Sequence, residues 1–183
     1  MDNGASSYRR FLDGDEAAFD DIMNELFYGL VFFIDRYVRD THVAEDIAVD
    51  TFSELIVHKH RYNFKVTLKT YLYMIGRSRA LDYIKRRKLI TFTELSEAQD
   101  IHDNGKSLEE LVLTDERKCR VHKAIASLPK DMGVAVHLIY FEDMSYADAA
   151  RVMKKTAKQV DNLLYRAKKE LRAILGEDGE QLL

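Results

Sequence analysis

The chain has 183 residues, 46% of them hydrophobic and 32% charged, with a formal net charge of -3. Such a composition can bury a core, which excludes a disordered chain, and one proline with eight glycines disfavours a turn-rich β fold. The single cysteine, Cys119, excludes a disulfide framework and any multi-cysteine zinc module.

The opening stretch, MDNGASSYRR, has no apolar signal core. The most apolar run, from Leu26 to Ile34, is about half the ~20 residues that a bilayer span requires, so a soluble cytoplasmic protein is expected. Phe19, Ile22, Met23, Leu26, Leu30, Phe33, Ile34 and Tyr37 recur at three- and four-residue steps and predict a long helix from near Asp15. A second helix is predicted from Val43 to His58, with Val43, Ile47, Thr51 and Leu55 on one face. Asp46 and Asp50, one turn apart, point together from its other side. A loop from Arg61 to Val66 leads into a third helix, running from Thr67 into Lys85-Arg86-Arg87-Lys88.

Residues 90–113 are acidic, lack a sustained period and contain Asp103-Asn104-Gly105, which reads as an interdomain linker. Four helical segments follow. The first, Asp115 to Leu128, stops at Pro129, and the second covers Asp131 to Glu142. A short third opens at Ser145, with Asp148 completing an approximate capping box, and ends near Met153. The fourth opens with the full box Thr156-Ala157-Lys158-Gln159 and carries Val160, Leu163, Leu164, Ala167, Leu171, Ile174 and Leu175 on its apolar side. A short helix, a turn of about three residues and a longer basic helix form the helix-turn-helix pattern. The expected fold is therefore all-α, with two small helical domains over 1–89 and 114–183 joined by the acidic linker 90–113. The second domain is a four-helix, winged-helix-like helix-turn-helix.

Charge is segregated along the chain. From Phe11 to Glu54 twelve acidic residues face only Arg36 and Arg39. Between Gly76 and Phe92 six bases (Arg77, Arg79, Lys85, Arg86, Arg87, Lys88) accompany Asp82 alone, and from Arg151 to Arg172 eight bases accompany Asp161 and Glu170. Two basic blocks divided by an acidic spacer suit two contacts with a polyanion; the plain alternative is solvation of helix faces. On the last helix Lys158, Asn162, Tyr165 and Lys169 lie opposite the leucine stripe and combine phosphate-seeking charge with groups able to meet base edges. The first block adjoins Tyr62, Phe64, Tyr71, Tyr73 and Tyr83, a mixture of charge and rings that suits single-stranded nucleic acid, although Tyr71 and Tyr83 are expected to be partly buried in a core.

Little points to catalysis. The chain lacks a Gly-rich phosphate loop, an H-E-x-x-H and a G-x-S-x-G, so no enzyme and no cofactor are expected. His58-x-His60 and Cys119-x-x-His122 each lack a second ligand pair, so no metal site is expected.

Several ordered motifs resemble the extracytoplasmic-function (ECF) sigma factors, the minimal two-domain class of the sigma-70 family. Ala44-Glu45-Asp46-Ile47-Ala48-Val49-Asp50-Thr51-Phe52 is similar to A-E-D-(L/I)-x-Q-(D/E)-x-F. The stretch from Leu72 to Arg86 is similar to the family's W-L-Y-x-I-A-x-N-x-x-x-D-x-(L/I)-R-R region. Leu128-Pro129, Tyr140-Phe141-Glu142-Asp143-Met144-Ser145-Tyr146 and Tyr165-Arg166-Ala167-Lys168-Lys169-Glu170-Leu171 are similar to L-P, Y-F-E-G-x-S-Y and H-R-A-(R/K)-x-x-L. Val49 departs from the usual glutamine, Tyr71 from tryptophan, Ser78 from asparagine and Lys154 from the glycine of the helix-turn-helix. Asp161 and Leu163 replace a lysine and an arginine.

The resemblance implies promoter recognition by RNA polymerase and strand opening at the −10 element. Asp46, Asp50 and Phe52 would dock on the clamp helices of the largest polymerase subunit. The loop Arg61–Lys69, with Tyr62, Phe64 and Lys65, would hold a flipped −10 base, and Arg77, Ser78, Arg79, Lys85 and Arg86 would contact the strand. The last helix, through Thr156, Lys158, Gln159, Asp161, Asn162, Tyr165, Arg166 and Lys169, would enter the −35 major groove. Implied partners are core polymerase, including the flap of its second-largest subunit, promoter DNA and, as a further candidate, an anti-sigma factor. A stand-alone helix-turn-helix regulator is the rival reading, and the acidic second helix speaks against it.

Overall fold

The computed structural model describes residues 4–93 and 116–176, with 90–93, 116–119 and 122 described by backbone alone. The chain divides into two compact units, Met1–Asp103 and Asn104–Leu183. Most of the expected linker, and the side chains of Cys119 and His122, lie outside the described residues.

The first unit contains α1 (Ala5–Leu12), α2 (Ala17–Val38), α3 (Thr41–Val57), a 3₁₀ turn (Lys59–Arg61) and α4 (Leu68–Thr93). The periodic stripe of α2 is its core face: Ile22, Leu26, Leu30, Phe33 and Ile34 are buried, and α1, α3 and α4 all pack on this helix. Arg39, in the left-handed region at φ 55°, stops α2, and the Asp40 carboxylate accepts from Val43 N at 3.1 Å to start α3. Thr67 Oγ1 accepts from Thr70 N at 3.1 Å at the start of α4. Gly76 brings α4 close to α2, since a Cβ there would stand 3.0 Å from Leu30 and 3.2 Å from Ile34. The helix runs on to Thr93, past residue 90, where the sequence loses its period.

Helix α1 has no counterpart in the sequence reading. It is held by Tyr8, which is fully buried and donates its hydroxyl to Lys59 O at 2.8 Å and Leu55 O at 3.2 Å, closing the end of α3.

The second unit contains α5 (Glu116–Ser127), α6 (Lys130–Val136), a π-helical turn (His137–Phe141), α7 (Tyr146–Met153) and α8 (Ala157–Leu175). The segment read as one helix over 131–142 is thus α6 followed by a wider turn. Glu142 N bonds to His137 O, and Asp143 (φ 51°) then reverses the chain so that Met144 N reaches Leu138 O at 2.9 Å. Ser145 Oγ accepts from Asp148 N, but the Asp148 carboxylate accepts from that hydroxyl rather than from the backbone, so only half a capping box forms. At α8 the box is complete. The described residues contain no strand, so the helix-turn-helix stands there without a wing.

The turn between α7 and α8 is a Schellman-type stop: Lys155 N bonds to Ala150 O at 2.9 Å, and Lys154 takes the left-handed conformation at φ 54°, ψ 47°. A lysine there is strained by about 1 kcal/mol relative to glycine. Lys154→Gly is expected to raise the unfolding free energy by up to that amount in denaturant titrations, whereas Lys154→Ala is expected to give no gain. Burial, with neighbouring Tyr71 and Tyr62, pushes the Tyr8 hydroxyl from 10.0 up to about 12. Its folded pKa exceeds the unfolded one, so its contribution is complete below pH 10 and is lost as pH rises toward 12. Tyr8→Phe is expected to cost about 1–3 kcal/mol near neutral pH, by orphaning two carbonyls, and to flatten the alkaline limb of the stability curve.

Candidate nucleic-acid interface

The buried arc of α3 contains Ala44, Ile47, Ala48, Thr51, Phe52 and Leu55. Its opposite face carries Asp46, Val49, Asp50, Ser53, Ile56 and Val57, all exposed at helical spacing. Phe52 is not on this face. It is 1% exposed and packs against Phe19 and Phe27 at ring distances of 6.2 and 6.1 Å, so its expected docking role is withdrawn. Sequence reasoning missed Val49, Ile56 and Val57, although their place off the Val43–Leu55 stripe was a readable signal. Val57 is 72% exposed.

Between the 3₁₀ turn and α4 the rings gather into one cluster. Tyr62 is 4% exposed, lies edge-on to Tyr8 at 5.5 Å and near Tyr71 at 5.2 Å, and donates its hydroxyl to Val66 O at 2.6 Å. It supports the loop and offers no platform to a base, which corrects the sequence reading. Phe64 lies on Tyr62 at 4.6 Å, takes φ 60° and keeps an exposed edge, with the Arg9 guanidinium 4.9 Å from its ring. Tyr73 is buried against Phe33, and Tyr71 and Tyr83 are half-buried. Lys65 is exposed, its backbone N–H held by Asn63 Oδ1 at 3.1 Å.

Along α4, Ser78, Lys85 and Arg86 are exposed, while Arg77 is half-buried, with Nε shut from solvent and lacking a hydrogen-bond partner. Arg79 departs from the expected strand contact: its guanidinium is bonded to Glu54 and lies 3.6 Å from Asp50, both on α3. The Arg79 hydrogen bond holds the Glu54 carboxyl below the usual carboxylate range.

In the second unit, α8 buries Val160, Leu164, Ala167 and Leu171, half-buries Leu163 and leaves Ile174 exposed. Lys158, Asp161, Asn162, Tyr165, Arg166 and Lys169 share the outward side, with Tyr165 73% exposed. Thr156 and Gln159 serve first as the cap: Thr156 Oγ1 accepts from Gln159 N at 3.2 Å, and Gln159 Oε1 accepts from Thr156 N at 2.8 Å. That leaves the Gln159 amide N–H groups, and not its carbonyl, to face a base. Lys155 is paired with Asp131 at 3.0 Å and Arg151 with Asp148 at 2.8 Å, whereas Lys158, Arg166 and Lys169 stand exposed on α8.

Among the described residues no three histidine, cysteine, aspartate or glutamate side chains converge on a metal site, and no helix is long and apolar enough to cross a membrane.

Residues 29–90 match the family model for Sigma-70 region 2, and residues 120–171 match that for Sigma-70, region 4; together they span well over half the chain. The chain belongs to the sigma-70 family. Its relatives place it in the extracytoplasmic-function class. It is 23% identical to the ECF RNA polymerase sigma factor SigM of Bacillus subtilis over 78% of this chain and 85% of SigM. It is 27% identical to the RNA polymerase sigma-H factor of Pseudomonas aeruginosa over 86% of each. The fold resembles that of the sigma factor RpoE from Bartonella quintana, solved with the anti-sigma factor NepR, at a TM-score of 0.66, 20% identity and coverage of 87% and 98% of the two chains. It also resembles CnrH, solved with the cytosolic domain of CnrY, at a TM-score of 0.60 and 17% identity, over 94% of each chain. This sigma factor directs RNA polymerase in transcription initiation, with regions 2 and 4 binding the polymerase core and promoter DNA. The sigma-70 family is one of initiation factors, not of enzymes.

Proposed function

We propose that the first unit docks on the polymerase clamp helices through the outward face of α3, with Asp46 and Asp50 supplying charge and Val49, Ile56 and Val57 the apolar area. That face carries the reading, because three aliphatic side chains stand exposed among acids on a helix whose other side is fully packed. The loop holding Phe64 and Lys65 takes a flipped −10 base and assists strand opening. The left-handed Phe64 supports this, because strained backbone gathers where a ring must be presented. Arg77, Ser78, Lys85 and Arg86 follow the strand. The second unit lays α8 in the −35 major groove, with Lys158, Arg166 and Lys169 at phosphates and Asp161, Asn162 and Tyr165 toward bases, while it engages the flap of the second-largest subunit. The protein works in the cytoplasm, has no chemistry of its own, and is open to capture by an anti-sigma factor over the same exposed faces.

Asp46→Lys with Asp50→Lys is expected to abolish co-purification with core polymerase while leaving helical circular dichroism unchanged, and Val57→Glu is expected to weaken it. Retained binding by all these variants would remove the docking assignment, and promoter binding without polymerase would favour the stand-alone regulator.

At the −35 element two kinds of contact separate by their signatures. Lys158→Ala should weaken binding alike on all sequences and make the salt slope shallower by about 0.9. Asn162→Ala should instead relax preference at one base pair, at about 1–3 kcal/mol, and Asp161→Ala should do so where the partner is a cytosine amino group. Selection from a library randomised at the −35 element checks both, and identical selected sequences for parent and variants would exclude base reading by these residues.

A further inference from the structure

Beside the docking face of α3, one carboxylate gathers two guanidinium groups, that of Arg61 from the 3₁₀ turn and that of Arg79 from α4. Arg79 Nη2 donates to Glu54 Oε2, and Arg79 Nη1 lies 3.6 Å from Asp50 Oδ2. Arg61 Nη1 donates to Glu54 Oε1 at 3.0 Å. Arg79 Nε is buried with no hydrogen-bond partner, so both terminal nitrogens of this group face the protein's own acids while the third is closed to any ligand. The Glu54 carboxyl is held below the usual carboxylate range, chiefly by Arg79, and is therefore ionised at neutral pH. Two guanidiniums and two carboxylates sum to zero charge. A phosphate that approaches this corner meets a neutral cluster instead of two cations. Asp50 also belongs to the exposed face of α3, with its side chain 68% accessible, so one carboxylate stands between the docking face and the basic helix.

We propose that Glu54 masks Arg61 and Arg79 in the free sigma factor, and that docking of α3 on polymerase, by engaging Asp50, loosens Arg79 toward the DNA strand. The inference rests on the reading of α3 as the docking face and α4 as the strand contact. Asp50 cannot serve a polymerase cation and Arg79 equally well, so core binding and strand binding assist each other by one and the same factor. A purely structural strut between α3 and α4 would behave differently: its loss would lower stability and leave DNA affinity unmoved.

The test uses the free full-length chain and a dye-labelled oligothymidylate of ~12 nucleotides, followed by anisotropy across a potassium chloride series. Glu54→Gln keeps the side-chain shape and removes the charge. It is expected to bind the strand about tenfold more tightly at low salt, with a log–log salt slope steeper by about 0.7 for each arginine released. Glu54→Gln combined with Arg79→Gln should return part of that gain. Asp50→Asn, on a side chain outside the core, should shift affinity in the same direction by less, and it carries the test alone if Glu54→Gln does not fold. Affinity and slope equal to or weaker than the parent's in these variants would overturn the mask. If the parent still co-purifies with core polymerase in that case, the docking reading stands and only the mask is lost. Failure of the parent itself to bind core would overturn the docking reading and the coupling with it.

Discussion

Burial of the α2 stripe is the constraint on which the first unit depends. Ile22, Leu26, Leu30, Phe33 and Ile34 offer one apolar surface, and α1, α3 and α4 each cover part of it. A helix that gives one side to a shared core has its other side fixed in direction. The outward faces of α3 and α4, one acidic and apolar and the other basic, are in this sense products of the packing of α2. Gly76 tightens the arrangement, because the absence of a Cβ lets α4 approach Leu30 and Ile34 of α2, and three residues on Arg79 meets Glu54 and Asp50 of α3.

Much of the architecture was legible because it is written in periodicity and caps. The α2 stripe, the Thr156–Gln159 box and the stop at Pro129 are local signals, and each appears where local chemistry demands it. Helix α1 was illegible for the converse reason: it is short and largely polar, and besides Phe11, which packs on Phe19, it holds through a buried tyrosine whose hydrogen-bond partners lie about fifty residues away. The turn at His137–Phe141 was also hidden, since the apolar run continues through it and only the hydrogen-bond pattern widens.

The site residues divide along the same line. The exposed face of α8 could be read because the helix packs on one side only, so residue type and spacing decide orientation. On α3 that logic fails for Phe52. The helix packs against both α2 and α4, and its buried arc is wide enough to take in Phe52 as well as Thr51. Tyr62 and Arg79 fail for a related reason: a tyrosine or an arginine has an apolar stem and a polar tip, and only its neighbours determine whether the group meets solvent or the protein. Composition near a basic block therefore overcounts the groups available to DNA.

Backbone strain gathers at the turns between helices. Arg39, Phe64, Asp143 and Lys154 are the non-glycine residues with positive φ among those described. Two of them, Asp143 and Lys154, stand where the resembling motifs have glycine, one before α7 and the other between α7 and α8. A left-handed residue at each end of α7 sets the direction of that helix and hence of α8 behind it, so the strain sits where orientation of the outward helix is decided. A glycine at either place would meet the same φ without strain but would leave the unfolded chain freer. Lysine and aspartate accept the strain, narrow the unfolded ensemble and add a charged group at the rim of the helix-turn-helix. The balance of these effects is small compared with the packing of Val160, Leu164, Ala167 and Leu171, so the placement of α8 rests on its buried face more than on the residue chosen for the turn.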